Sequence, residues 1–132
     1  MLSARFRFRH VEVVRFRDLD ALGHVNNAVY LTYFESARIA YWLHTTKRTG
    51  LGALDMILAR AEIDFRAPVR FGDEVEVSVR VSRFGEKSFD LEHELRVGDT
   101  LVAEAKTVLV TYDYERREPV AIPEAWREKL AA

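Results

Sequence analysis

The sequence predicts an α+β domain in which one antiparallel sheet of five strands lies around one long helix. Three observations carry that expectation. From Tyr30 to Trp42 the apolar and aromatic residues Tyr30, Leu31, Phe34, Ala37, Ile39, Tyr41 and Trp42 recur at helical spacing. After the helix, four runs alternate apolar with polar residues, most strictly Val75, Val77, Val79 and Val81 against Glu76, Ser78, Arg80 and Ser82. Connections of hairpin length, punctuated by Pro68, Gly72-Asp73, Gly85 and Gly98-Asp99, join these runs.

The first strand shows in Phe6, Phe8 and His10 alternating with Arg5, Arg7 and Arg9. The phase slips at Val13-Val14, which leaves room for a bulge, and the strand is expected to end near Asp18. A helix is expected from about Asn27 to Trp42 or a turn beyond. Glu35 and Arg38 are spaced to pair, Lys47 and Arg48 suit its C-terminal region, and Gly50 and Gly52 mark its exit. Its apolar residues cover more than one face, so it should be largely enclosed. The second strand follows from Ile57, Ala59, Ala61, Ile63 and Phe65 on one phase, and the fourth from Phe89, Leu91, His93, Leu95 and Val97. The last strand, Leu101 to Tyr112, is apolar on both phases around Val108, Leu109 and Val110, as expected away from a sheet edge. The tail from Ile122 to Leu130 begins with Pro123 and carries Trp126 and Leu130 four apart; it is a short amphipathic helix or a loose end.

Chemistry concentrates in residues 17 to 38, where a strand gives way to the helix. Asp18, Asp20, Gly23, Asn26 and Asn27 suit a loop rather than a strand, and Asn26 suits a helix cap. First-turn amides lack intrahelical partners and carry the positive end of the helix dipole. A group that develops negative charge fits there, with Asp20 a few residues upstream as base or nucleophile. That is the outline of an acyl-transfer or hydrolytic site.

Asp20, Gly23, the run His24-Val25-Asn26-Asn27, Tyr30 and Glu35 together resemble the first motif of the hotdog-fold thioesterases, in particular the 4-hydroxybenzoyl-CoA and acyl-CoA thioesterase group. The order of elements matches that fold over nearly the whole chain. The resemblance implies hydrolysis of acyl-CoA thioesters to free acid and CoA. It implies that Asp20, not Asp18, is the catalytic carboxylate and that the Asn27 backbone amide polarises the thioester carbonyl. His24 then orients water, tunes the carboxylate, or only holds the loop. Tyr30 and Asn26 are candidates for lining the substrate site. Lys87 and Ser88, after Gly85, resemble a basic segment that contacts CoA phosphates in the hydroxybenzoyl-CoA enzymes; Arg83 is a weaker candidate. The same run of residues also resembles the plant acyl-ACP thioesterases. There an Asn stands two residues after the Asp, where this chain has Leu22, so a mechanism built on that Asn side chain does not carry over. A non-catalytic acyl-binding domain is the alternative from outside enzymes. The family also implies a homodimer sharing one continuous sheet, with sites at the boundary, commonly paired again to a homotetramer.

Composition bounds the rest. One domain, residues 1–132, is expected from the length. Net charge is −1, so no overall field draws the chain to nucleic acid. Cysteine is absent, which excludes disulfides and thiolate chemistry. His10, His44 and His93 show no metal-ligand spacing, and no nucleophile elbow or phosphate-binding glycine loop occurs. No cofactor or metal is expected, and no apolar run is long enough for a membrane span. The arginine-rich start continues straight into the first strand, so a cytoplasmic protein is the expectation.

Overall fold

The structure, a computed structural model, describes residues 6–47 and 55–131. The elements follow in the order β1 (Phe8–Val13), a single 3-10 turn (Phe16–Asp18), α1 (Val29–Thr46), β2 (Met56–Phe65), β3 (Glu74–Phe84), β4 (Ser88–Val97), β5 (Thr100–Asp113), β6 (Glu118–Pro119) and α2 (Glu124–Ala131). All pairings are antiparallel, and the sheet order is β1-β3-β4-β5-β2, with the two-residue β6 added beside the end of β5. This is the hotdog arrangement, a sheet curled around one helix. Rings along α1 reach three different strands. Tyr41 meets Phe8 of β1 at 5.3 Å, Phe34 meets His93 of β4 at 5.0 Å, and Tyr30 meets Phe65 of β2 at 5.0 Å.

The enclosed helix follows from its sequence. Tyr30, Tyr33, Phe34, Ala37, Tyr41 and Trp42 are all buried, so its apolar stripe is broad enough to face most of a curved sheet. Lys47 ends it in the left-handed region at φ 59°. Arg48, Gly50 and Gly52, expected to mark the exit, lie outside the described residues. The tail is a helix, not a loose end. Trp126 meets Trp42 edge-on at 4.8 Å, Trp42 stacks on Phe89 at 5.2 Å, and the Tyr41 hydroxyl donates to the Leu130 carbonyl at 3.4 Å. Glu35 and Arg38 pair at 3.6 Å, as their spacing requires.

Two strand expectations are corrected. β1 ends at Val13, with no bulge there. Val14 turns inward and donates its amide to the Asp73 carbonyl at 3.0 Å, and Phe16-Arg17-Asp18 coil because Asp18 Oδ2 accepts the Arg15 amide at 2.9 Å. The unbroken alternation of β2 hides a bulge. Ile57 pairs with Val110 and Leu58 with Leu109, but Arg60 pairs with Val108, so Ala59 is the extra residue. Before it, Met56 and Leu58 share the phase of inward Leu109; after it, Ala61, Ile63 and Phe65 do. β5 sits inside the sheet, between β4 and β2. β2, ten residues long, is an edge on which Ile57, Leu58 and Phe65 remain 38–47% exposed. Among the described residues no helix is long and apolar enough to cross a membrane.

Candidate active site

The site is built on a small closed loop between the 3-10 turn and α1. Its base is the bond from the Asn26 amide to the Asp18 carbonyl, 2.9 Å. Leu19 and Val25 bridge above it, the Asp20 amide donates to the His24 carbonyl at 2.9 Å, and the Gly23 amide donates to the Asp20 carbonyl at 3.1 Å. Gly23 has φ 80°, a conformation that a side chain disfavours, which lets the chain reverse within four residues. The loop docks on the segment after β2 through the Val25 amide to the Val69 carbonyl, 2.8 Å, and a bridge between His24 and Arg70.

Asp20 is half-buried, and its Oδ1 accepts the Leu22 amide at 2.9 Å. Its other oxygen has no hydrogen-bond partner among the described residues, so it is open to a substrate or a water. Asp18 is different. It is 6% exposed, and its Oδ2 accepts both the Arg15 amide and the Tyr33 hydroxyl, the latter at 2.8 Å. Burial, with the Asp18 carboxylate next, holds the Tyr33 phenol above its ordinary pKa, so Tyr33 stays protonated and is the donor.

The Asn26 side chain accepts the Ala28 amide at 2.9 Å, and its carbonyl accepts the Val29 amide at 2.9 Å. The helix cap expected at Asn26 is corrected: α1 starts at Val29 with Ala28 as its cap residue and no side-chain cap bond, and the Asn26 side chain instead closes a turn just before the helix. The Asn26 oxygen is thereby occupied. Asn27 is exposed at the helix start. A cleft of about 240 Å³ opens there, lined by His24, Val25, Asn27, Tyr30, Phe65, Ala67 and Pro68. Tyr30 is 3% exposed, and burial raises its phenol pKa, opposed by a backbone hydrogen bond from Val69.

The structure therefore gathers Asp20, His24, Asn26, Asn27 and Tyr30 in one region, with Asp20 behind His24 rather than in the cleft wall. It does not bring Lys87 and Ser88 to them within one chain. Phe65 of the cleft pairs with Ala103, and Ala103 with Leu95, whereas Ser88 pairs with Val110 at the other end of the same ladder. Seven residues of strand, about 23 Å, separate the two ends. Sequence reasoning gives Phe65 only a strand role and Pro68 only a turn role, and it does not single out Ala67. The signal available was Pro68 directly after an alternating run, where a chain must leave the ladder. Among the described residues no group of three or more His, Asp or Glu side chains is arranged to hold a metal. His93 lies outside the site, 2% exposed beneath Phe34. Burial, and secondarily the Arg38 guanidinium, pull its pKa down to about 3. Its Nε2 is 3.1 Å from Thr107 Oγ1.

Residues 14–130 match the sequence profile of the Thioesterase-like superfamily. A 1,4-dihydroxy-2-naphthoyl-CoA hydrolase of Synechococcus elongatus is 26% identical, over 93% of this chain and 94% of that one. The chloroplastic acyl-acyl carrier protein thioesterase ATL3 of Arabidopsis thaliana is 30% identical, over 93% of this chain and 67% of its own. Among solved structures, a Thermus thermophilus thioesterase complexed with coenzyme A and Zn is 41% identical, with a TM-score of 0.84 over 96% of this chain and 99% of that one.

Proposed function

The chain belongs to the Thioesterase-like superfamily, and on that premise we propose that it hydrolyses acyl-CoA thioesters, with Asp20 as nucleophile or base and the Asn27 amide as oxyanion donor. The observation that carries this reading is the closed loop, which leaves one Asp20 carboxylate oxygen unengaged beside a helix start that opens into a cleft lined by His24, Asn27, Tyr30 and Phe65. In the nucleophilic route Asp20 adds to the thioester carbonyl. The C–S bond then breaks, CoA leaves as thiolate and takes a proton, and water hydrolyses the resulting anhydride. In the base route Asp20 takes the proton from water as that water attacks. Both routes place negative charge on the carbonyl oxygen, where one preorganised amide is worth roughly 3 kcal/mol of barrier. His24 orients the water or the loop, and Tyr30 and Phe65 wall the acyl group.

The cleft of one protomer, about 240 Å³, is smaller than the roughly 300 Å³ at which ligand pockets begin. The uncovered β2 edge supplies the missing half in this reading. A second copy adding its β2 antiparallel across a two-fold axis normal to the sheet brings the opposite end of its own ladder to the Asp20 end. That carries the partner's Lys87 and the partner's Ser88 toward the CoA phosphates, which a single chain cannot do. The acyl-carrier thioester is the second reading, favoured by the 30% identity to a relative named for that substrate.

Thiol release from short, long and aromatic acyl-CoAs, and from the same acyl groups on a carrier protein, tests the proposal. Turnover of at least one acyl-CoA that collapses in Asp20→Asn is the expected result. Turnover only on the carrier substrates would replace the first reading by the second. Turnover of neither would overturn both.

A further inference from the structure

We infer that Asp18 and Tyr33 are a positioning pair, whose hydrogen bond fixes the Asp20 loop against α1 so that the Asp20 carboxylate and the Asn27 amide address the same carbonyl. This rests on the roles given to Asp20 and Asn27 above. The loop's own bonds close it on itself, through Asp18–Asn26, Leu19–Val25 and Asp20–His24, and others tie it to the segment after β2. The Tyr33 hydroxyl instead comes from the body of α1, more than a turn beyond the helix start, and grips the residue at the loop's base at 2.8 Å. Tyr33 is 1% and Asp18 6% exposed, so little water competes for the bond.

A second turn shares part of this pattern, although Gly72 has φ 81° where the first turn has Arg17 in a 3-10 conformation. Arg70-Phe71-Gly72-Asp73 repeats the pattern of Arg15-Phe16-Arg17-Asp18, and in each the aspartate Oδ2 accepts the arginine amide at 2.9 Å. The Phe16 and Phe71 rings even meet, edge to face at 6.1 Å. Asp73 closes its turn through that amide bond, with no tyrosine donor among the described residues. The Tyr33 bond is therefore additional to turn closure at Asp18, and it is the one that crosses to the helix. Misplacing a reacting group by about 1 Å can cost on the order of 10²-fold in rate, which sets the scale for losing it.

The test compares Tyr33→Phe, which keeps the ring in the core, with Asp18→Ala and the conservative Asp18→Asn. Trp126→Ala, in α2 where it packs on Trp42 near the far end of α1, is the control for general destabilisation, each variant being followed by its Tm. Tyr33→Phe is expected to lower kcat by roughly 10- to 100-fold with KM within about twofold, and Asp18→Ala at least as much. Asp18→Asn, which retains an oxygen that both donors can reach, should recover most of the loss. Amide hydrogen exchange in residues 19–27 should quicken in Tyr33→Phe and not in Trp126→Ala. An unchanged kcat in Tyr33→Phe, or a fall no greater than in a Trp126→Ala protein of equal Tm, would overturn the inference. A wild type without thioesterase turnover would instead refute the proposed function. The exchange measurement would then decide the clamp alone, with unchanged exchange counting against it.

Discussion

The Tyr30 ring meets Phe65 at 5.0 Å and 80°, joining the first turn of α1 to the last residue of the exposed edge strand β2. The pair closes one wall of the cleft, and Phe65 is 47% exposed on its other side. Phe65→Ala should therefore fold, losing about 0.5–1.5 kcal/mol of ring contact along with the area it buried. Its KM for acyl-CoA should rise several-fold while kcat changes less. Steady-state kinetics on one accepted substrate will check this, and an unaltered KM would remove Phe65 from the binding wall.

Asp20→Asn keeps the acceptor for the Leu22 amide but removes the charge that attacks carbon or takes a proton. Turnover should fall at least roughly 10²-fold, with acyl-CoA binding by calorimetry retained. Asp18→Asn, beside it, should keep most activity. Equal rates in the wild type and Asp20→Asn would exclude Asp20 from the chemistry.

His24 lines the cleft and also bridges to Arg70, so orientation and loop support are its expected contributions. His24→Ala should fold and lose roughly tenfold in kcat. A folded variant with no measurable turnover would make His24 the general base, whose removal costs roughly 10²–10⁴-fold.

Long apolar edge strands are usually paired or covered, and among the described residues nothing pairs with the outer edge of β2, which the proposed dimer would cover. Light scattering should find at least a dimer. Arg60→Pro, on the outward phase of β2, should weaken it by obstructing one strand of the new ladder. An active monomer at micromolar concentration would rule out the shared-site arrangement.

His93 gives stability an acid limb. Its pKa is about 3 in the folded chain and about 6.5 when unfolded, so between those values the unfolded state binds the extra proton. Stability is therefore complete above pH 6.5 and declines as pH falls toward 3, with a limiting slope near 1.4 kcal/mol per pH unit. His93→Gln can still reach Thr107 and does not titrate there. Urea unfolding at pH 4.5, 5.5 and 7 should show a flatter dependence in the variant.

Periodicity carried the fold, because each strand that packs against α1 on one face must alternate. It failed where alternation and pairing disagree. The run from Ile57 to Phe65 alternates without a break, yet Ala59 is squeezed out of the ladder, since a bulge is set by the neighbouring strand and leaves no mark in its own residues. The end of β1 was misplaced for a related reason: Arg15-Phe16-Arg17 continues the strand pattern, while the Asp18 carboxylate closes a turn beneath it. Of the candidate site, Asp20, His24 and Asn27 could be proposed from sequence because they are local in it. Tyr33 was not, since its position among core aromatics conceals a hydroxyl aimed 15 residues back along the chain. Phe65 and Pro68 join the cleft only through tertiary pairing. Lys87 cannot be related to Asp20 by any feature of a single chain.

The chain has two tryptophans, and they touch: Trp42 and Trp126 meet at 4.8 Å, where α2 closes over α1. Trp42 lies 12 residues along the helix from Tyr30 of the cleft, about 18 Å. Intrinsic emission excited at the indole band is thus a gauge of whether the C-terminal helix is seated, and it is nearly blind to what enters the cleft. A ligand confined to the cleft would leave that signal unchanged, whereas CoA phosphates reaching the Lys87-Ser88 segment, next to Phe89 under Trp42, would register in it. The same contact supplies an optical readout for the seating of α2 without any added label.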